Sequence, residues 1–551
     1  MRQASTSSST STSLRVLRRE GHAGQGGPVM TTSTIAPATT AGRAFTLGVT
    51  ARRVVIAAVV ATVVVAAIGL RLWHLNTLGF NSDEAAYAGQ AASIAGDPHL
   101  SALFPVFRAH PLLFQLLVSL IYRIHVDELG PRLLAVAFGL ATVVAGYGLG
   151  ARIYGRMAGV LTALFLAVMP YLVIVNRQAL LDGPMVFFSV VALWLLAKFA
   201  AEERPALLYA AAAVLGLAFL TKETAILLVP AAYAFLAVTP SVRVKLRELA
   251  LSLACFALIA LPYPLSLIIA GGSRTGQHFL VWQLFRPANH TWSFYLTVVP
   301  WALGIPLAVL AVAAVVAVAL GRTWSWRESL LVCWIVVPAF FFELWPVKGF
   351  QYLLPAAAPV AVLAAGLLSG AAAKGFKGLT ASRSWQVARA GIAAAVIVFL
   401  GAVSWIGVTT TDSTSFLAGT GGVAGGREAG DWIRANTPLG AEFFSIGPSM
   451  ANILQFTGQR RVLALSVSPN PLHRNPAYVP APNPDLLVRS GQVQYIVWDS
   501  YSAARTSYFT QRLMTYVGRY HGRVVHVQTV PVDVGGRAVQ RPVIVIYEVR
   551  P

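Results

Sequence analysis

Long apolar runs separated by short polar loops dominate the chain between residues 54 and 408. A helix needs about 20 mostly apolar residues to cross the hydrocarbon layer of a bilayer, and several runs reach or approach that length. The pattern therefore predicts a polytopic α-helical membrane protein with about eleven spans. The predicted spans are residues 54–70, 133–150, 157–175, 184–200, 206–220, 224–238, 248–270, 294–320, 328–344, 352–370 and 391–408.

One apolar segment, residues 111–124, is too short to count as a span. Segments of ten to fourteen residues are more typical of interfacial or re-entrant helices. Treating it as interfacial gives a first external loop of residues 71–132. It also places Arg152 and Arg156, and nearly every later basic cluster, on one side of the membrane. Because basic loops stay in the cytoplasm, the N-terminus is predicted inside and the C-terminal end outside.

From about residue 410 the composition changes. Glycine pairs at 421–422 and 425–426 indicate a linker, and residues 428–436 have a helical pattern. Runs with strand character follow at 441–446, 462–467, 494–498, 524–530 and 543–549. Residues 411–551 are therefore predicted to form a small extracytoplasmic α/β domain. Its Pro- and Asn-rich loop, 468–487, is expected to lie over the membrane part.

Composition supports this division of the chain. The 551 residues are 56% hydrophobic and 11% charged, far from the balance of a soluble protein. Residues 1–50 are rich in Ser, Thr, Gly and Ala and predict a disordered cytoplasmic tail, which leaves 51–410 as the transmembrane domain. The net charge of +21 fits basic cytoplasmic loops and does not indicate nucleic-acid binding. Cys255 and Cys333 lie in apolar runs and predict buried thiols, not a disulfide.

Acidic residues are scarce, so the adjacent pair Asp83-Glu84, about ten residues after the first span, is the first candidate for chemistry. A simpler alternative is a helix start. In that case Asn81 or Ser82 would cap the helix, and the two acids would lie at the positive end of its dipole.

The predicted topology places both acids and bases at the outer surface, near membrane level. This combination suits a substrate with a phosphate and a reacting hydroxyl group. Cations would stabilise the phosphate as leaving group, a carboxylate would take the hydroxyl proton, and apolar walls would admit a lipid tail. The residues are Asp83, Glu84, His110, Arg177, Asp182, Lys222, Glu223, Arg286 and Lys348.

These residues lie in ordered motifs. The motifs are Asp83-Glu84-Ala85-Ala86-Tyr87, His110-Pro111-Leu112-Leu113, Arg132-Leu133 with Gly139, Arg152-Ile153-Tyr154-Gly155-Arg156, Arg177-Gln178-Ala179-Leu180-Leu181-Asp182, Leu220-Thr221-Lys222 and Lys348-Gly349-Phe350-Gln351-Tyr352-Leu353-Leu354-Pro355. In this order they resemble the GT-C superfamily of membrane glycosyltransferases that use polyprenyl-phosphate sugars. The resemblance is closest to the protein O-mannosyltransferase and aminoarabinose-transferase branch. It covers residues 54 to about 370, and the C-terminal domain carries none.

The resemblance implies roles for the acidic residues. Asp83 would be the general base on the acceptor hydroxyl in a single inverting displacement, and Glu84 would orient it or bind the acceptor. Asp182 would bind near the donor phosphate through a cation, water or Arg177. The alternative for Asp182 is a structural ion pair with Arg177.

The resemblance also implies phosphate contacts for His110, Lys222 and Lys348. The alternatives are a loop histidine bonded to backbone and two lysines that snorkel at span ends. The remaining candidates would contact the lipid donor: Gln351 and Tyr352 would line the lipid-phosphate groove, and Arg286, in the loop 271–293, would help to cover the donor. An interfacial amphipathic helix explains that loop nearly as well.

No cofactor is implied with certainty; a divalent cation is left open, with Asp182 as a candidate ligand. The expected partners are a polyprenyl-phosphate sugar donor, a protein, glycan or lipid acceptor, and membrane lipid, at the plasma membrane. Two other functions stay open. A proton-coupled secondary transporter would need acids within the spans. A non-catalytic envelope assembly protein would act through the external domain.

Overall fold

The computed structural model describes residues 49–106, 109–269, 276–372, 382–410, 422–535 and 537–551. Most of the predicted N-terminal tail and residues 411–421 of the predicted linker region lie outside this description. The chain divides into two units, Met1–Ile56 and Ala57–Pro551. The first unit is described only from residue 49, where the first helix begins; the architecture below is that of the second unit.

Helices make up nearly all of the described chain up to residue 410. They are α1 (Val49–Leu72), α2 (Ser82–Ala95), α3 (Leu100–Leu103), α4 (Leu113–Tyr122), α5 (Leu129–Tyr154), α6 (Arg156–Val168), α7 (Pro170–Val175), α8 (Asp182–Glu202), α9 (Pro205–Thr221), α10 (Leu228–Val238), α11 (Leu246–Ala260), α12 (Pro262–Ile269), α13 (Gly276–Phe285), α14 (Phe294–Leu303), α15 (Ile305–Leu320), α16 (Trp326–Leu344), α17 (Ala357–Leu368) and α18 (Arg383–Thr409). Short 3₁₀ turns at Glu223–Leu227 and Phe350–Ala356 lead into α10 and α17.

The multi-span architecture is confirmed, whereas the count of about eleven stays a prediction. Among the described residues, four helices are long and apolar enough to cross a membrane, or up to six if each of two bent pairs is one span. Further apolar helices have only 10–17 residues. The segment predicted as a span at residues 294–320 is not one continuous helix, because α14 and α15 meet at a bend of 99°. Gly304 forms that bend with φ +89°, a conformation that favours glycine.

The first loop contains three helices. Asn81 caps α2 by accepting hydrogen bonds from the backbone N–H groups of Asp83 and Glu84, both at 2.9 Å. The Glu84 side chain accepts in return from the Asn81 N–H at 3.0 Å, which completes a capping box. α4 has ten residues and is about 15 Å long, too short to cross, as predicted.

The C-terminal region folds as the predicted α/β domain. Its five-stranded sheet has the order β2-β1-β3-β5-β4, with parallel β1–β2 and β1–β3 pairs and antiparallel β3–β5 and β4–β5 pairs. The strands are β1 (Glu442–Ser445), β2 (Arg461–Ala464), β3 (Val493–Asp499), β4 (Arg523–Val534) and β5 (Arg537–Glu548). The helices are α19 (Gly426–Asn436), α20 (Pro448–Gly458), α21 (Pro484–Arg489), α22 (Ser500–Ala503) and α23 (Ser507–Arg519).

The C-terminal domain and the first loop share one apolar core. α20 packs against α2, and the Phe456 ring lies 5.1 Å from the Phe80 ring and 6.5 Å from the Phe104 ring. At the edge of this core, Arg427 forms an ion pair with Glu128 and donates to the Asn76 carbonyl. The domain is therefore fixed against the loop that carries Asp83.

Candidate active site

The two adjacent acids at the start of α2, Asp83 and Glu84, have different environments. Glu84 is fully buried and accepts hydrogen bonds from the Arg132 guanidinium and from the Ala179 N–H, each at 2.8 Å. The same guanidinium donates to three carbonyls that precede α2, at residues 75, 78 and 79. Glu84 therefore anchors the first loop to α5 at the position next to Asp83.

Asp83, on the opposite side of the capped turn, is exposed. Desolvation by the surrounding protein nevertheless raises the pKa of its carboxyl group above the ordinary aspartate value, while Lys222 and His110 act in the opposite direction. A group that solvent reaches but that protein largely surrounds lies in a recess. A carboxylate with a raised pKa in a recess is a better proton acceptor than one on an open surface.

Asp182 and Lys222 form a buried ion pair. The Lys222 ammonium donates to both carboxylate oxygens of Asp182 at 2.8 Å and lies 5.5 Å from the centre of the Tyr352 ring. Asp182 occupies the first turn of α8, whose positive end favours a carboxylate. The pair keeps a cation at the end of α9 without leaving a buried charge unpaired.

A second pair joins His110 to Glu223. His110 Nδ1 and Glu223 Oε2 are 2.8 Å apart, and the imidazole is flanked edge-on by the rings of Tyr87 and Phe279. Glu223 belongs to the predicted outer set, but no role was assigned to it from the sequence. The one feature of the sequence that could have suggested a role for Glu223 was its position next to Lys222. It fixes the ring that faces the recess.

These groups form one cluster. Asp83 interacts electrostatically with Lys222, His110 and Asp182, and Asp182 interacts with Glu223. The first loop, the start of α8 and the α9–α10 turn thus bring together side chains far apart in sequence.

One wall of the recess comes from later segments. The Arg286 guanidinium lies 4.7 Å from the Trp282 ring and interacts electrostatically with Tyr352. Burial lowers the pKa of Arg286 from its ordinary value. Gln351 and Tyr352 are half-buried in the 3₁₀ turn before α17. Of the two predicted groove residues, Tyr352 lies beside the Lys222 ammonium.

Two predicted phosphate ligands instead hold helix ends. Arg177 is buried and donates to the carbonyls of Leu70 and Arg71, at the end of α1, each at 3.0 Å. Lys348 donates to the carbonyls of Phe342 and Glu343, at the end of α16. Asp182 pairs with Lys222 and not with Arg177 as expected. The hydrogen bonds of Arg177 and Lys348 to helix-end carbonyl groups explain why both cations are buried.

The sequence did not reveal a contribution from the C-terminal domain. Asn452 on α20 donates to the Ser82 hydroxyl and to the Tyr478 hydroxyl, each at 3.2 Å. Burial raises the pKa of Tyr478, and Asp83 adds to that shift. Tyr478 lies within the loop 468–487, which was expected to cover the membrane part. The only earlier signal was the composition of that loop.

The side chains that the structure describes do not assemble a divalent-cation site. Within the described ranges, no group of three or more His, Cys, Asp or Glu side chains is arranged to hold a metal ion. Both Asp182 oxygens accept from Lys222, so an ammonium group stands where the open prediction had placed a cation.

One protein-family model matches part of the helical region of the chain. Residues 109–267 match the family model described as dolichyl-phosphate-mannose-protein mannosyltransferase. No curated protein matches the chain.

Solved structures match over most of the chain. ArnT from Cupriavidus metallidurans in the apo state is 16% identical, with a TM-score of 0.64, and the match covers 90% of this chain and 98% of ArnT. The same protein bound to undecaprenyl phosphate is 17% identical, with a TM-score of 0.60, and the match covers 89% of this chain and 97% of ArnT. The Archaeoglobus fulgidus oligosaccharyltransferase tethered to an acceptor peptide is 16% identical, with a TM-score of 0.57. That match covers 88% of this chain and 74% of the oligosaccharyltransferase. The expected GT-C fold is confirmed, including the small C-terminal sheet domain.

Proposed function

We propose that this chain, a GT-C glycosyltransferase by its fold and its match to a mannosyltransferase family, transfers a sugar from a polyprenyl-phosphate donor to an acceptor hydroxyl. The observation that carries the proposal is the position of Asp83. Its carboxylate lies in a protein-lined recess, in electrostatic contact with the Lys222–Asp182 pair and with His110. A base beside fixed cations is the arrangement that sugar transfer from a phosphate requires.

The reaction is a single displacement. The acceptor oxygen forms a bond to the anomeric carbon as the bond between that carbon and the phosphate oxygen breaks. Asp83 takes the acceptor proton, and the electron pair of the breaking bond leaves with polyprenyl phosphate. Attack from the face opposite the phosphate inverts the anomeric centre.

The leaving phosphate gains negative charge as the bond breaks, and three groups are placed to stabilise it. Lys222 and His110 are held by carboxylates, so their positions are fixed before the reaction. Arg286 has no acidic partner among the side chains that the structure describes, which leaves its charge available. Two proteins of similar fold have been solved with a lipid phosphate: ArnT with undecaprenyl phosphate, and the Archaeoglobus fulgidus oligosaccharyltransferase AglB with dolichol-phosphate. Both support a lipid-phosphate donor for this chain.

The acceptor approaches from the side of Ser82 and Tyr478. These residues border Asp83 and are joined to the C-terminal domain through Asn452. The acceptor is a hydroxyl of a protein, glycan or lipid. We place the recess on the outer face of the plasma membrane, with the N-terminus in the cytoplasm, because that orientation puts the basic loops inside.

The proposal is tested with the purified full-length chain in detergent. A panel of polyprenyl-phosphate mannose, pentose and amino-sugar donors, radiolabelled in the sugar, is mixed with envelope fragments from a strain that lacks the gene. We expect label from one donor to enter the envelope fraction as polyprenyl phosphate is released in equal amount. Solute movement in vesicles without sugar transfer from any donor would favour the transporter alternative instead.

A further inference from the structure

A polar cavity lies at the end of the helical bundle opposite Asp83. It has a volume of about 280 Å³ and is enclosed by the ends of α5, α15 and α16 and by residues 371–372. α5 runs from Arg132, beside the first loop, to Arg152, in the cavity wall, and these residues are about 30 Å apart along the helix. That distance is about the thickness of the hydrocarbon layer.

Three arginines supply positive charge at this cavity. Arg152 and Arg327 line it, and the Arg389 guanidinium packs directly on Gly370, next to the wall residues 371–372. The Nε atoms of all three, with Nη1 of Arg389, are buried without a hydrogen-bond partner among the described residues. Buried guanidinium nitrogens without acceptors are unfavourable, and an oxyanion would supply the missing acceptors.

Two acids offset part of this charge, and one of them, Glu328, itself lines the cavity. Glu202 pairs with Arg152 at 2.6 Å and with Arg204 at 3.6 Å. Glu328 accepts hydrogen bonds from the Tyr154 hydroxyl at 2.8 Å and from Ser325 within the capping box of α16. Among the described side chains, neither Arg327, in the cavity wall, nor Arg389, beside it, forms an ion pair with an acid, so positive charge stays in excess at this end of the bundle.

We propose that this cavity binds the phosphate headgroup of an anionic membrane lipid. The volume far exceeds the roughly 10–15 Å³ that one water requires by a comparable measure, so a phosphate group fits. The wall also includes Ile153 and Val318, in the last turns of α5 and α15, and Ala371, which follows the end of α17. Basic pockets between spanning helices at the cytoplasmic surface are suited to such headgroups. The proposal is independent of the sugar-transfer chemistry.

The test measures lipid binding by the delipidated full-length chain in a neutral detergent. Phosphatidylglycerol, phosphatidylcholine or inorganic phosphate is added, and the thermal unfolding midpoint and the lipids retained in native mass spectrometry are recorded. We expect phosphatidylglycerol alone to raise the midpoint. Arg327→Gln should lower lipid retention at least fivefold, whereas Arg327→Lys should keep most of it.

Arg322→Gln is the matched control, because Arg322 lies in the turn just before α16, is exposed and carries the same charge outside the cavity wall. Equal loss of retention in Arg322→Gln and Arg327→Gln would overturn the proposal, since it would mean a general surface attraction. A midpoint rise that inorganic phosphate reproduces in full would also overturn it, because the ligand would then be a free anion. If Arg327→Gln does not fold, Arg389→Gln takes its place: lower retention than in Arg322→Gln supports the site, and equal retention overturns it.

Discussion

Asp83 and Glu84 are neighbours in sequence with different environments. The local pattern places both at the start of a helix and does not distinguish them, because both fit a capped first turn; only the resemblance assigned the role of base to Asp83. The deciding contacts come from Arg132 and Ala179, which lie 48 and 95 residues further along the chain. In the same way, no local pattern shows that Lys222 is paired with Asp182 or that Lys348 is occupied by carbonyl groups.

Glu84→Gln should destabilise the protein. The substitution removes one charge of a fully buried pair and leaves the Arg132 guanidinium without its counter-charge, a loss of about 3–5 kcal/mol. The measurement is the thermal midpoint in detergent. Glu428→Gln, on the exposed side of α19, is the control and should change little. A midpoint equal to that of the wild-type protein would show that Glu84 does not anchor the first loop.

The raised pKa of Asp83 determines the pH dependence of activity. Asp83 acts as a base only when ionised, so activity should be present above its pKa and fall as the pH decreases through a value above that of an ordinary aspartate. Lys222→Met removes a cation that stabilises the carboxylate, so the acidic limb of kcat/KM should move to higher pH. Lys245→Met, at an exposed position outside the cluster, should leave it in place. A limb that moves to lower pH in Lys222→Met would contradict the electrostatic account.

At the scale of elements, the sequence predicted most of the architecture. Each of the five strand-like runs contains a strand, because β-branched and aromatic residues alternate there. β4 and β5 extend beyond their predicted limits, to Val534 and from Arg537, because polar residues in the hairpin hide the apolar period. The bend between α14 and α15 was missed because an apolar run does not reveal the direction of its helices.

Gly304 is predicted to be essential to that bend. In Gly304→Ala, the added Cβ would collide with the Leu400 side chain. The alanine would also have to keep a φ of +89°, which residues with a side chain disfavour. We expect a loss of at least about 1–3 kcal/mol, measured as a lower thermal midpoint. Gly401→Ala is the control, because its Cβ would meet nothing within 4 Å and the residue lies inside α18. Equal midpoints for the two variants would exclude a special role for the bend.

The loop that carries Tyr478 is predicted to select the acceptor. Tyr478→Phe removes the hydroxyl that Asn452 links to Ser82, beside Asp83. We expect transfer of label to envelope acceptors to fall about tenfold, while binding of polyprenyl phosphate stays unchanged. Tyr508→Phe, at an exposed tyrosine of the same domain, should behave as wild type. Equal losses in lipid-phosphate binding and in transfer would place Tyr478 on the donor side instead.

At the scale of the whole molecule, the membrane part and the C-terminal domain act as one unit. The shared core around Phe80, Phe104 and Phe456, and the ion pair between Arg427 and Glu128, join the domain to the loop that carries the base. The sequence could not predict this union, because the contacts link residues more than 290 positions apart. Removal of residues 411–551 would expose this core, so the role of the domain is better tested by point substitutions than by deletion.

The most direct test of the central claim is sugar transfer by Asp83→Asn. This change keeps the size of the side chain and removes its capacity to accept the acceptor proton. Turnover with the active polyprenyl-phosphate donor should fall by about 10²–10⁴-fold. Asp97→Asn is the control, because Asp97 caps the turn before α3 and Asn can still accept those hydrogen bonds. If Asp83→Asn retained wild-type turnover while correctly folded, Asp83 would not be the base and the proposed mechanism would be wrong.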